Sequence, residues 1–228
     1  MSECVIIGAG MLAQEFSNCN LSDEIVLFAS GVSNSNETSL NAFNRERALL
    51  FDTIQRYPEK KLIYFSTCSM YDNYFKNNAY TLHKLNMEAV IENSSIDFIV
   101  FRLPQVLGSN NKSQLIGFLF DRIKTNKHFD LYDVERNIID ISDVSSAVSY
   151  IINNDLFSRK KINIANPRNI KVIDLVKKIE TIYNWTGRYN VIKKSGQFDI
   201  DTTDIKPIFL SLNINFGNYI EEKMRKYY

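Results

Sequence analysis

Near the N-terminus the run Cys4-Val5-Ile6-Ile7 passes without a break into Gly8-Ala9-Gly10-Met11-Leu12-Ala13, and then into Gln14-Glu15-Phe16. A buried strand that must turn at once into a helix needs glycine where the backbone folds back. The spacing, with Ala13 in the last small-residue place, is that of a dinucleotide-binding turn. Gly8 permits the turn, Gly10 lets backbone N–H groups approach a pyrophosphate, and the start of the helix favours negative charge. Met11 and Leu12, in the first turn, belong to the same candidate cofactor contact. Apolar strand-like runs then alternate with helical patterns along the chain, which predicts an α/β fold with a parallel sheet and helices on both faces.

A second group of residues carries chemistry. Leu62-Ile63-Tyr64-Phe65 ends in Ser66-Thr67-Cys68-Ser69-Met70-Tyr71, and Tyr80-Thr81-Leu82-His83-Lys84 opens a helical stretch. A phenol and an ammonium four residues apart lie one turn apart on one helix face, so Lys84 is expected to lower the pKa of Tyr80. Tyr80 then moves a proton, and Thr67, at a strand end, shares a substrate oxygen with it. The bland reading is an ordinary exposed Tyr-Lys pair, and the glycine turn upstream weighs against it.

Composition excludes several classes. With 27 basic and 26 acidic residues the net charge is +1, which argues against a nucleic-acid surface. No apolar run approaches the roughly 20 residues of a membrane span. A strand begins at once, leaving no room for a signal sequence, so the expected location is the cytoplasm. Cys4, Cys19 and Cys68 are odd in number and irregularly spaced, suggesting neither a disulfide framework nor a metal site. At 228 residues and 45% hydrophobic, the chain can bury a sizeable core.

Taken together these residues resemble the extended short-chain dehydrogenase/reductases, specifically the NAD-dependent epimerase/dehydratase family that works on nucleotide sugars. The resemblance continues in order through Ile25-Val26-Leu27-Phe28-Ala29-Ser30-Gly31, Asn44 with Ala48-Leu49-Leu50, Phe101-Arg102-Leu103-Pro104-Gln105, Arg136 to Val144, and Ile162 to Asn166 followed by Val172 to Val176. It implies a Rossmann-like unit over 1–228, with 1–105 and 137–165 as cofactor-binding core and 106–136 and 166–228 as a small C-terminal substrate lobe. It implies NAD or NADP as cofactor, NADPH favoured, touching Gly8, Gly10, Met11, Leu12, Ala29, Ser30, Gly31, Asn44, Tyr80 and Lys84. Thr67, Cys68, Ser69, Gln105 and Arg136 would meet a nucleoside-diphosphate sugar, with Arg136 on the diphosphate; the bland reading of Arg136 is a surface residue balanced by Glu135. Asp140 and Asp143 are expected to cap a helix near Val144, His128 to lie at the surface, and the tail from Glu221 to Tyr228 is assigned no task. No metal, nucleic-acid or membrane partner is implied, and a homodimer through the tyrosine-bearing helix is.

The chain departs from that family in length. A βαβ unit takes about 30 residues, yet only 54 residues separate Ala13 from Thr67, room for about two steps where the family has four. Either the second and third strands are missing, or Ile25 to Ala29 is the second strand; in both cases no acidic residue follows at the spacing that would hold the adenine ribose. The polar stretch Ser33 to Ser39 is expected to cap the next helix and lie near the cofactor. Cys68-Ser69 stands where family dehydratases carry Asp-Glu, which argues against dehydration. A 4-ketoreductase acting in polysaccharide biosynthesis is the expected activity, with a 4-epimerase or a non-catalytic dinucleotide-binding sensor or scaffold as alternatives.

Overall fold

The structure is a computed structural model that describes residues 4–108, 115–194 and 198–228. In chain order the elements are β1 (Val5–Ile7), α1 (Met11–Phe16), β2 (Ile25–Phe28), α2 (Leu40–Arg56), β3 (Lys61–Thr67), α3 (Ala79–Glu92), β4 (Phe98–Leu103) and β5 (Gln105–Leu107). There follow α4 (Leu115–Lys124), β6 (Phe129–Asp133), β7 (Glu135–Arg136), β8 (Ile138–Asp140), α5 (Ile141–Asn153), β9 (Lys160–Asn163) and β10 (Ile170–Lys171). The chain closes with α6 (Val172–Tyr183), β11 (Tyr189–Lys193), α7 (Lys206–Ser211) and α8 (Tyr219–Tyr227).

The five strands β1-β2-β3-β4-β9 form one sheet in that order, every pair parallel. β2, β3 and β4 read as unbroken apolar runs because both faces of the sheet are covered. Ile25, Leu27, Ile63, Phe65, Ile99 and Phe101 pack on one side with Phe16 of α1 and the apolar face of α5. Val26, Phe28, Leu62, Tyr64, Phe98 and Val100 pack on the other with Leu50 of α2 and Met87 and Ile91 of α3.

This arrangement decides between the two sequence readings. In a doubly wound sheet of order 3-2-1-4-5-6 the first strand is interior, and the fourth lies on the far side of it from the second and third. Here β4 pairs with β3, and β1 is the edge. The family's second and third strands are therefore missing, and β2 takes the place of the fourth. The helices carry a record of the loss. α1, α2 and α3 all connect neighbouring parallel strands in the same direction across the sheet, yet α1 lies on the opposite face from the other two. The first crossover thus has the opposite hand to the next two, an uncommon arrangement.

A second core, around Leu119, Ile123, Leu131, Val134, Leu175 and Ile179, joins α4, β6 and α6 and takes in Met224 of α8. The tail, for which the sequence suggested no task, anchors this region. Lys223 reaches Asp143 at 2.8 Å and Lys226 reaches Asp140 at 3.3 Å, binding α8 to the start of α5. Asp140 caps α5 as expected, accepting from Ser142 N at 3.0 Å, but the helix begins at Ile141, so Asp143 lies in its first turn and not at the cap. Among the described residues no helix is long and apolar enough to cross a membrane.

Candidate active site

The candidate residues converge at the C-terminal ends of β1, β2 and β3, the edge where open α/β sheets place their ligands. Gly8 has φ +133°, and a Cβ there would lie 2.6 Å from the Ala29 carbonyl oxygen. Only glycine lets β1 turn this close to the end of β2. Around Gly10 there is open space, since a Cβ would meet nothing within 4 Å. α1 has six residues, so an anion at this turn depends on the turn's own backbone more than on a helix dipole. Met11 and Leu12 are half-buried behind it, with the Met11 thioether packed over Gly108. Ala29, Ser30 and Gly31 continue the same edge, also half-buried.

Thr67 ends β3 in extended conformation, and its Oγ1 accepts from Ser69 N at 3.0 Å and shares a 2.9 Å hydrogen bond with Ser69 Oγ. Tyr80 sits in the first turn of α3. That turn is fixed by Asn78, whose Oδ1 accepts from Thr81 N at 2.8 Å while its Nδ2 donates to the Ser35 carbonyl at 2.7 Å. The Tyr80 ring packs on Val32 and Phe43. Burial pushes its phenol up, a hydrogen bond with Thr67 pulls it down, and the charge of Glu46 and the neighbouring Cys68 raise it again, to about 12. The sequence placed Thr67 and Tyr80 together, and they are together. The expectation that Lys84 lowers the phenol's pKa is not met.

The reason lies in a residue that the sequence reading passed over. Lys84 is 3% exposed, and its ammonium donates to Glu46 Oε1, Tyr64 OH and the Phe65 carbonyl, each at 3.0 Å. Those are all three of its protons. Glu46, fully buried on α2, accepts in addition from Val32 N at 2.7 Å and Tyr64 OH at 2.6 Å, and pairs with His83 Nε2 at 2.9 Å. Burial works against the Glu46 carboxylate, but His83, the charge of Lys84, Tyr64 and Val32 outweigh it and hold its pKa at about 2. For Lys84 the balance falls the other way: burial lowers its pKa although Glu46 opposes it. Gly31 closes over the pair, since a Cβ there would lie 2.6 Å from Lys84 Nζ and 2.8 Å from Glu46 Oε1. A cation neutralised at 3 Å projects little field onto the phenol one turn away.

Other expected site residues divide. Asn44 is exposed on the outer side of α2, whose inner side carries Phe43, Glu46, Leu50 and Thr53. Two residues along a helix is about 200°, so Glu46 reaches the site and Asn44 does not. Cys68 is fully buried, with its thiol donating to the Arg102 carbonyl and its pKa driven up by burial. It is therefore a packing residue and not a substrate contact. Ser69 is half-buried beside Thr67. Gln105 opens β5 with its Oε1 buried and without a hydrogen-bond partner. Arg136 is neither a free anion ligand nor balanced by the Glu135 carboxylate: its Nη1 donates to Asp72 Oδ2 at 3.1 Å and to the Glu135 carbonyl at 2.8 Å. His128 is exposed, as expected. Among the described residues no cluster of His, Cys, Asp and Glu is placed to hold a metal. A cleft of about 560 Å³ between the starts of α6 and α8, lined by Arg168, Lys171 and Lys178 among others, includes none of the candidate catalytic residues.

The model of the NAD dependent epimerase/dehydratase family matches residues 9–165, from the glycine turn to the end of the strand region at β9. The chain belongs to that family, a family of enzymes. RMD from Pseudomonas aeruginosa, solved with NADPH, is similar with a TM-score of 0.74 at 12% identity, over 99% of this chain and 98% of that one. UDP-N-acetylglucosamine 4-epimerase from Methanobrevibacter ruminantium M1 superposes with a TM-score of 0.70 at 15% identity, over 96% of this chain and 78% of the epimerase. dTDP-glucose 4,6-dehydratase from Bacillus anthracis str. Ames, solved with NAD, gives 0.69 at 16% identity, over 89% and 72%. At these identities the likeness is one of fold. No curated protein sequence matches the chain.

Proposed function

We propose that this member of the family is an NAD(P)-dependent 4-ketoreductase of a nucleoside-diphosphate-linked keto-sugar. The observation that carries the reading is the buried pair of Thr67 and Tyr80 at the sheet's ligand-binding edge, with the phenol held protonated. The open turn at Gly10 and the edge from Ala29 to Gly31 fit the pyrophosphate and nicotinamide ribose of the cofactor, which when bound supplies the hydride. Thr67 and Tyr80 donate hydrogen bonds to the substrate carbonyl oxygen, and as the carbonyl carbon gains its hydrogen Tyr80 gives the oxygen its proton. The phenolate left behind recovers a proton from water. Lys84 holds Glu46 and the Val32 segment under the site, and Gln105, with an unsatisfied acceptor, is available to a sugar hydroxyl.

A 4-epimerase must first remove a proton from an alcohol and later return it. A phenol at about 12, next to a lysine whose charge is already balanced, is a serviceable acid and a poor base near neutral pH. This favours reduction. The test is single-turnover mixing with reduced cofactor and a panel of nucleoside-diphosphate 4-keto-sugars, following loss of nicotinamide absorbance. Tyr80→Phe should lower the rate roughly 10²–10⁴-fold with the fold intact. Interconversion of 4-epimers with no net cofactor oxidation would overturn the reading.

A further inference from the structure

A doubly wound sheet carries its dinucleotide on two mononucleotide-binding halves, one on each side of the point where strand order reverses. In this chain the order runs outward from β1 without reversing, so that point is absent. Gly8, Gly10, Ser30, Gly31, Thr67 and Tyr80 all stand on β1 or on the β2 and β3 side of it. On the other side, among the described residues, no strand pairs with β1. Val5 and Ile7 are only half-buried there, whereas Val26 and Phe28, one strand inward, are buried. The polar loop at 33–39 does not replace the missing wall. Its Ser35 carbonyl is bonded to Asn78 at the start of α3, and Ser39 caps α2, so the loop is tied to the Tyr80 side.

We propose that the chain grips its cofactor by the nicotinamide mononucleotide half alone, so that reduced nicotinamide mononucleotide binds as well as NADH or NADPH. The proposal rests on the cofactor reading above and concerns the other end of the ligand. Among the described residues the adenosine has no strand end to lie against, and Glu37, the acid of the 33–39 loop, is engaged by Thr38 N and Ser39 N, so the adenosine stays in water and adds little affinity. The 2′-phosphate that separates NADPH from NADH sits on that adenosine, and no strand end among the described residues is placed to read it.

The experiment is equilibrium titration of the purified full chain with reduced nicotinamide mononucleotide, NADH, NADPH and adenosine 2′,5′-bisphosphate, followed by calorimetry and nicotinamide fluorescence. The expected result is three nicotinamide compounds within about threefold of one another, and no binding or competition by the adenosine compound where the others saturate. NADH or NADPH binding about tenfold or more tightly than the mononucleotide would overturn the proposal and leave the cofactor reading standing. If none of the nicotinamide compounds binds, both fall.

Discussion

Replacing Glu46 by Gln isolates the reason Tyr80 stays protonated. The substitution keeps the shape and one acceptor but removes the charge that neutralises Lys84 at 3.0 Å. Side chains four residues apart on a helix have Cβ atoms about 6 Å apart, and at an effective dielectric constant of about 20 a full charge at that distance would be worth roughly 2–3 kcal/mol, or about two pH units. Lys84, whose pKa burial already lowers, loses the carboxylate that supports its charge, so it is neutral near the phenol's midpoint and adds no cation there. What remains is the removal of Glu46's own charge, one of the causes that raise Tyr80 to about 12, so the midpoint should fall, by less than those two units. Tyrosine labelled with ¹³C at Cζ reads this directly by NMR, with Tyr80→Phe assigning the resonance. The variant also loses a buried partner, so its stability should fall by about 3–5 kcal/mol, and near-UV circular dichroism checks that it remains folded. Glu46→Gln combined with Lys84→Met removes a lysine that is already neutral at that pH, so the midpoint should match that of the single variant. An unchanged midpoint in the single variant, or a full return to the native value in the double, would refute the electrostatic argument.

Acid should unfold the chain partly through the same carboxylate. Its pKa is lowered from 4.5 to about 2 by folding, so its stabilisation is full above pH 4.5 and lost as pH falls towards 2, a loss of about 3 kcal/mol; urea midpoints across that range should fall less in Glu46→Gln than in the native chain. The tail should matter for stability, because Met224 is buried in the second core: Met224→Ala is expected to cost about 2–5 kcal/mol by urea denaturation, whereas an effect under about 0.5 kcal/mol would mean that α8 is not held there. The expected homodimer, through the tyrosine-bearing helix α3, would use the outer face of that helix, where Leu82 is 48% exposed, since Met87 and Ile91 are buried in the core. Light scattering should show two copies at micromolar concentration and one after Leu82→Lys, and a native monomer would end that proposal.

How far the sequence could be read depended on the kind of signal each feature leaves. β2, β3 and β4 are covered on both faces, and continuous apolar runs of that kind stand out; the short distance from Ala13 to Thr67 likewise exposes the missing strands. Side-chain partners are harder, because a motif such as Tyr80-x-x-x-Lys84 describes two residues as though they were alone. The partner that decides the behaviour of Lys84 lies 38 residues earlier. It does leave a trace: Phe43, Glu46, Leu50 and Thr53 form one stripe, and an acid within a buried stripe demands a cation or several donors. Asn44 and Glu46 could be told apart only by that phase. Arg136 illustrates the same limit, since its anion is Asp72, in the loop after Thr67, and no local spacing links the two. The hand of the first crossover leaves no sequence trace at all, yet it explains how strands could be lost without disturbing the site. α1 lies with α5 on one face, as Phe16 against Phe65 at 5.5 Å shows, while β1 pairs directly with β2. The glycine turn therefore stays beside Ala29, and the loss is confined to the side of β1 where the adenosine would lie.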